Sequence, residues 1–348
     1  PVWKDSAAVL FWLARKDQLV AADATAEFAK AGEAVSTLTP TLEKIKAWHD
    51  KDPKKNLYSE GNTAPYNMNK AGLQGHNSGW DELSSDLRIG VKIKAGNKTV
   101  QSYYTDPAYI ADLKAMKDWA DRGLSNGLVA PTIEQEPQAI TVSCAQGFDG
   151  AQFVEWGGPI KGYDTMIQKK SGPFLTSGYI QGGINVIGAG SKKPEAALKY
   201  MEYCSLNAEY RNMLAYGIEG TNWKQENGAV EILTGQDWAP GTFSQGSFDL
   251  LLPGKGCPPT MFKDVCEMTN TATASALLGF VPTTETITNE IATCTSLIQE
   301  VFRNLQCGAV KDVDAEVTGL LKKLDAQGYP KIIAEYQTQV DAFLAAKK

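Results

Sequence analysis

Residues Gln181 to Trp223 read QGGINVIGAGSKKPEAALKYMEYCSLNAEYRNMLAYGIEGTNW and decide the fold class, because a strand, a tight break, a helix and a glycine stop follow one another. Gly182 to Ile187 is a short apolar run beside glycines, which predicts a strand. Ser191 and Lys193 precede Pro194, where a proline costs a helix least, and Glu195 complements the positive end of the helix dipole. A helix is therefore predicted to begin at about Pro194. Ala197, Leu198, Met201 and Cys204 recur at three- and four-residue spacing, which predicts a core-facing stripe with Lys199 and Glu202 turned to solvent.

Upstream, Thr39-Pro40 reads as an N-cap followed by proline at the first helical position, leading into Leu42, Ile45 and Trp48. Leu57 to Gly79 is rich in Asn, Gly and Ser with Tyr58 and Tyr66 embedded, and reads as long loops. Arg88 to Tyr104 alternates as strands around a hairpin turn at residues 95–98. Asp106-Pro107 opens a helix with Ile110, Leu113, Met116 and Trp119 inward and Gly123 at its stop. Ala139 to Cys144 is rich in β-formers, and the turn Gln146-Gly147-Phe148-Asp149-Gly150 leads to a short helix broken near Trp156-Gly157-Gly158-Pro159. This arrangement suggests a β-α unit of a mixed sheet. The last ninety or so residues carry three apolar stripes: Ile287, Ile291, Cys294, Ile298 and Val301, then Val313, Val317, Leu320 and Leu324, then Ile332, Tyr336, Val340 and Phe343. Gly308 and Gly328 separate them, so the chain reads as α/β in front and helical at the end.

The 348 residues suffice for one large or two ordinary domains, and 43% hydrophobic with 21% charged residues is a globular composition. No apolar run reaches the ~18 residues that a membrane-spanning helix needs. A net charge of -6, with lysines scattered among acids, lacks the basic footprint that nucleic acid or an anionic membrane surface requires. Six cysteines, at 144, 204, 257, 266, 294 and 307, contain no CxxC, and His49 and His76 are the only histidines, which disfavours structural zinc. An even count permits up to three disulfides, with Cys257 and Cys266 as the candidate local pair. Cys204 and Cys294 fall on apolar helix faces, where a thiol acts as a small hydrophobe.

No catalytic constellation emerges. Neither histidine lies near a GxSxG elbow, the glycine pairs 157–158 and 182–183 make neither GxGxxG nor a Walker loop, and Asn67, Asn69 and Gly72 lack the carboxylates of a calcium loop. No metal or cofactor is expected. Asp and Glu total forty, so a carboxylate pair for glycoside hydrolysis stays open, although nothing singles one out. The remaining inventory is aromatic and amide-rich. It suits sugars, whose C–H faces stack on rings while their hydroxyls need directional partners.

The glycine-rich run followed by Ser191-Lys192-Lys193-Pro194-Glu195-Ala196-Ala197 resembles the interlobe crossing of the family-1, carbohydrate-type extracellular solute-binding proteins of bacterial ABC importers. Residues 216–223 (YGIEGTNW) are similar to its larger, lipoprotein-like branch. So are residues 243–248 (FSQGSF), 278–280 (LGF), 321–324 (LKKL), Gly328 and 333–337 (IAEYQ), in that order. The resemblance implies a type II periplasmic-binding-protein-like fold with two lobes, a hinge and a helical C-terminal segment. It assigns residues 1–181 mainly to lobe two, 182–246 to the rest of lobe one and 247–348 to lobe two again.

The phrase Leu10 to Asp17 resembles the segment just after the first lobe crossing, so much of lobe one is expected to be missing ahead of it. The resemblance further implies a non-enzymatic carbohydrate-binding component, with an oligosaccharide ligand, permease subunits as partners, and an extracellular, cell-surface or periplasmic location with any lipid anchor outside this chain. The implied ligand contacts are Tyr66, Phe148, Trp156, Gln181, Trp238, Phe243 and Gln245. Tyr66 follows Pro65 in a loop placed like a stacking loop of maltose-type proteins, and Phe148 and Trp156 flank a turn that faces the cleft in relatives. Gln181 lies on the crossing strand, and Trp238, Phe243 and Gln245 lie near the third crossing. The alternatives are a secreted glycan hydrolase with an unrecognised carboxylate pair, and a fragment that packs against another chain.

Overall fold

The computed structural model describes residues 7–59, 62–66, 79–93, 96–126, 140–154, 156, 162–180, 185–233 and 246–347. The strand β1 (Ala8–Arg15) leads through the short helices α1 (Lys16–Ala21) and α2 (Thr25–Phe28) to α3 (Thr39–Lys51). Three strands, β2 (Trp80–Ser84), β3 (Ile89–Lys92) and β4 (Gln101–Ser102), form an antiparallel sheet before α4 (Pro107–Asp121). Next come β5 (Val142–Gln146), the one-turn α5 (Ala151–Val154), β6 (Thr165–Leu175) and the one-turn α6 (Ser177–Ile180). The helices α7 (Pro194–Leu206) and α8 (Ala208–Tyr216) precede a hairpin of β7 (Trp223–Glu226) and β8 (Ala229–Ile232). The chain closes with α9 (Met261–Thr271), β9 (Thr273–Ala274), α10 (Thr288–Gln306), α11 (Val313–Ala326) and α12 (Tyr329–Ala346).

The main sheet has the order β5-β1-β6-β9, with β1 antiparallel to both neighbours and β9 parallel to β6. The sequence AVLFWLAR of β1 lacks apolar–polar alternation because both of its faces are covered. Leu10, Trp12 and Ala14 face a large core with the helices, whereas Val9, Phe11 and Leu13 pack with Ile140 on the other side.

The large core unites α1 to α4, the β2–β4 sheet and α10 to α12. Its C-terminal helices follow the apolar stripes read from the sequence: Ile287, Cys294, Ile298, Val313, Val317, Leu320, Leu324, Ile332, Tyr336 and Val340 are all buried. Gly308 and Gly328 sit between these helices with φ of 68° and 87°, a region that glycine enters without a steric penalty. Tyr329 Oη fastens the helices to the small sheet by donating to Leu87 O at 2.6 Å, with Ser102 Oγ at 3.0 Å. Asp106 caps α4 as expected, accepting the Tyr109 N–H, and also pairs with Lys92 at 2.5 Å. Thr39 departs from expectation. A 3-10 turn over Val35–Leu38 runs directly into α3, and the Thr39 hydroxyl accepts the Trp119 indole N–H at 2.9 Å instead of capping the helix.

A second, smaller core joins Phe148 and Ala151 to Ala215, Tyr216, Trp223 and Val230, and to Phe248, Leu251, Met261, Phe262, Val265 and Cys266. Residues 248–266 thus pack with 215–230. Side chains reinforce this grouping. Arg211 Nε donates to Ser247 O, Asn212 Nδ2 donates to Leu250 O, and the Leu252 N–H donates to Asn212 Oδ1.

Three further expectations are corrected. Helix α7 begins at Pro194 as predicted, yet among its stripe residues Cys204 alone is buried, and Leu198 is 58% exposed. Amphipathic spacing reports which face could be covered, and this one is fully covered only at Cys204. The described part of the expected strand 182–187, residues 185–187, is irregular. All six cysteines lie among the described residues and form no disulfide, including Cys257 and Cys266.

Candidate functional site

The small core adjoins one end of the main sheet, where Trp156 packs against both it and the cluster of Val9, Phe11 and Leu13. The register pairs Leu10 with Gln146 and Ala8 with Phe174, and Phe174 in turn with Thr273. The end of β5, the end of β6 and the start of β9 therefore lie side by side. From this edge residues 147–151 pass to the second core, α6 leaves after β6, and the chain returns from α9 into β9. Backbone pairing joins the last two passages, for Ser275 N–H donates to Leu175 O at 2.9 Å.

Glycines shape the first passage. A β-carbon on Gly147 would lie 2.4 Å from the Trp156 ring, and one on Gly150, whose φ is 109°, would lie 2.3 Å from Met261 Sδ. The turn can thus pass beneath Trp156 and against α9 only without side chains. Trp156 is half-buried and edge-on to Phe11, with centroids 5.9 Å apart. Gln146 Nε2 donates to Tyr179 Oη, and Lys169 lies 3.9 Å from Asp149, so exposed amide, ammonium and carboxylate groups and a half-buried phenol lie at the seam.

Of the residues proposed from sequence, Trp156 lies at this seam, half-buried. Tyr66 is 0% exposed, its ring packed between Trp12 and Trp119 with centroids 6.2 and 5.0 Å away. Phe148 is 2% exposed and packs edge-on against Phe248 and obliquely against Phe262. Both rings serve the cores and present no face for stacking a sugar. Gln181, Trp238, Phe243 and Gln245 lie outside the described residues. Gln146 and Tyr179, which sequence reasoning did not single out, also lie at the seam. The available signal was that Gln146 continues the register of the buried Val142 and Cys144, placing a polar group where that face reaches its edge.

The seam offers hydrogen bonding and stacking. Among the described residues no group of three or more His, Cys, Asp or Glu side chains could hold a metal ion. Burial pushes the Cys144 thiol up to about 12, which leaves it a poor nucleophile. Desolvation also raises the carboxyls of Asp81 and Asp112, but Asp112 accepts the Val35 N–H and Asp81 is buried in β2. His49 stacks on Tyr58 at 4.0 Å with Nδ1 2.7 Å from Asn56 O, a structural placement at a helix end.

Comparison with known proteins gives three kinds of likeness. A family model described as a domain of unknown function (DUF3502) matches residues 276–345, the span of the C-terminal helices. A carbohydrate ABC transporter substrate-binding protein of Streptococcus pneumoniae serotype 4 (strain ATCC BAA-334 / TIGR4) is 29% identical over 169 residues, 47% of this chain. The chain spans about a third of that relative's length, 34%. Among solved structures, the N-glycan transport solute binding protein NgtS of S. pneumoniae in complex with Man5GlcNAc superposes with a TM-score of 0.81 at 21% identity, covering 100% of this chain and 75% of that one. The alginate-binding protein AlgQ2 superposes with a TM-score of 0.52 at 14% identity, covering 98% and 74%. These likenesses show the fold, that of type II periplasmic solute-binding proteins, mixed α/β with helices at the C-terminal end.

Proposed function

We propose that this chain belongs to the carbohydrate-binding component of an ABC importer, which captures an oligosaccharide between its two packing units and presents it to a membrane permease. The observation that carries this reading is the superposition of the whole chain on an N-glycan transport protein, supported by the 29% identity to a carbohydrate transporter subunit. In this reading the large core is lobe two, the small core belongs to lobe one, and the ligand lies along the seam where the chain passes between them. Trp156 supplies a stacking ring, and Gln146 and Tyr179 supply polar groups. Gln181, Trp238, Phe243 and Gln245 belong to the same site. The mechanism is population shift: the sugar binds one arrangement of the lobes more tightly than the other, and no covalent step occurs. The protein acts outside the cytoplasmic membrane, at the cell surface or in the periplasm. Among the described residues no helix is long and apolar enough to cross a membrane.

The test is calorimetric titration with Man5GlcNAc, Man1GlcNAc, milk oligosaccharides and alginate oligomers, with chromatography of the sugar afterwards. Saturable binding with the sugar recovered intact is expected. Release of shorter sugars, or no binding across the panel by this chain and by a longer version of the protein, overturns the reading.

A further inference from the structure

Among the described helices of eight or more residues, α7 buries a single side chain, Cys204, where each of the others buries at least three. A helix of 13 residues is marginal in water unless an apolar face packs against something. Apolar positions are present. Ala196, Tyr200 and Tyr203 recur at four- and three-residue spacing, and Tyr200 and Tyr203 are 45% and 52% exposed. Across the break between helices the Tyr210 ring joins them, with centroids 4.9 Å from Tyr203 and 6.3 Å from Tyr200.

This exposure is concentrated. Seven of the thirteen exposed large hydrophobic side chains among the described residues fall within residues 186–218, whereas singly scattered ones would need no explanation. A few residues ahead of α7, the segment 185–187 (NVI) has the composition of a strand, yet it is irregular and pairs with no strand among the described residues. Val186 within it is exposed. A strand-forming segment without a neighbour is a template for another strand. The superposition on NgtS covers 100% of this chain and 75% of that one, so a quarter of that fold has no counterpart in these residues.

We propose that the face formed by Tyr200, Tyr203 and Tyr210, together with residues 185–187, is an internal docking surface for further residues of the same protein. Those residues complete the small unit, setting a strand beside 185–187 and an apolar face over the three rings. The occupant follows from the fold likeness and the uncovered face, and does not rest on the ligand proposed above.

Hydroxyl-radical footprinting read by mass spectrometry, without sugar, compares this chain with a longer version of the protein over a range of concentrations. In the longer version oxidation of Tyr200 and Tyr203 should fall several-fold, while that of Leu57, an exposed side chain of the large unit, stays as in this chain. Equal oxidation of the tyrosines in the two overturns the proposal. Protection that appears in this chain alone as its concentration rises also overturns it, because it assigns the face to a second copy. So does a natural protein with no residues beyond these. Tyr203→Ser should lower the melting temperature of the longer version more than that of this chain, and equal shifts refute the docking. Titration of the longer version with Man5GlcNAc separates the two ideas: tyrosines protected without glycan binding count against the functional reading and leave the docking surface standing.

Discussion

Replacing Gly147 by alanine tests how the seam is built. Gly147 does not have a positive φ, so an alanine there meets no backbone penalty and acts through its β-carbon alone. That carbon would stand 2.4 Å from Cζ2 and 2.5 Å from Cη2 of Trp156. Carbon atoms pack at about 3.5–4.0 Å, so the ring has to withdraw by roughly 1 Å or more. The backbones on both sides are held. Gly147 N–H donates to Val9 O at 3.1 Å and Trp156 N–H to Ala151 O at 3.0 Å, while Trp156 O accepts the Thr165 hydroxyl at 2.7 Å. The strain therefore falls on the indole side chain and its contact with Phe11, an overpacking that costs about 1–3 kcal/mol. Urea denaturation of Gly147→Ala, Trp156→Leu and the double variant measures it. The double variant should be more stable than the sum of the single losses predicts, because the smaller side chain vacates the space that the new methyl enters. Strict additivity, or a Gly147→Ala midpoint equal to the parent's, refutes the reasoning.

Three other outcomes follow from the same structure. Asp106→Ala should lose both the α4 cap and the Lys92 partner, costing about 2 kcal/mol or more, whereas Asp106→Asn keeps a capping oxygen and should cost less; equal losses in chemical denaturation would deny the cap a role. Asp81 is an acid whose pKa is raised by desolvation, so its stability contribution is lost as pH rises from the ordinary value of 3.8 through the raised folded value. Asp81→Asn should accordingly be more stable than the parent at pH 7 and lose that advantage toward pH 4, and an advantage that does not change with pH would contradict the assignment. Tyr329→Phe should destabilise by about 1–2 kcal/mol because Leu87 O and Ser102 lose a buried donor, while Tyr104→Phe, whose buried hydroxyl has no partner among the described residues, should be neutral or stabilising in thermal unfolding.

The helical end of the molecule was legible because several local signals agreed there. Apolar stripes matched the helical period, Gly308 and Gly328 marked the breaks, and Asp106-Pro107 marked a start. Where a residue had two uses for one group, local rules failed. The Thr39 hydroxyl could cap α3 or accept the Trp119 indole, and a partner 80 residues away decided between them. The three described aromatic candidates part company for a related reason, Tyr66 and Phe148 being buried and Trp156 half-buried. Tyr66, Phe148 and Trp156 are alike in sequence, since a ring buries well in a core and stacks well on a sugar, and only the packing around each separates the uses. In α7 the spacing of Ala197, Leu198, Met201 and Cys204 fixed the helix and its apolar face, but a face carries no information about whether anything covers it.

The strand β1 ties fold to site more directly than any stretch the local rules singled out. Its even-numbered residues Leu10, Trp12 and Ala14 belong to the large core, and Trp12 Nε1 donates to Gly32 O at 2.8 Å within it. Its odd-numbered residues face the other way, and Phe11 supports the Trp156 ring. A single strand thereby serves both the stability of the helical unit and the placement of the half-buried Trp156 ring. Because side chains alternate with a period of two, those roles occupy alternate positions and change separately. A one-residue slip of β1 would exchange them, putting Trp12 toward the seam and Phe11 into the large core. Pairing with β5 on one side and β6 on the other opposes that slip, and the same pairing brings the passages between the units to a common edge. The position of the seam is thus set by the register of β1.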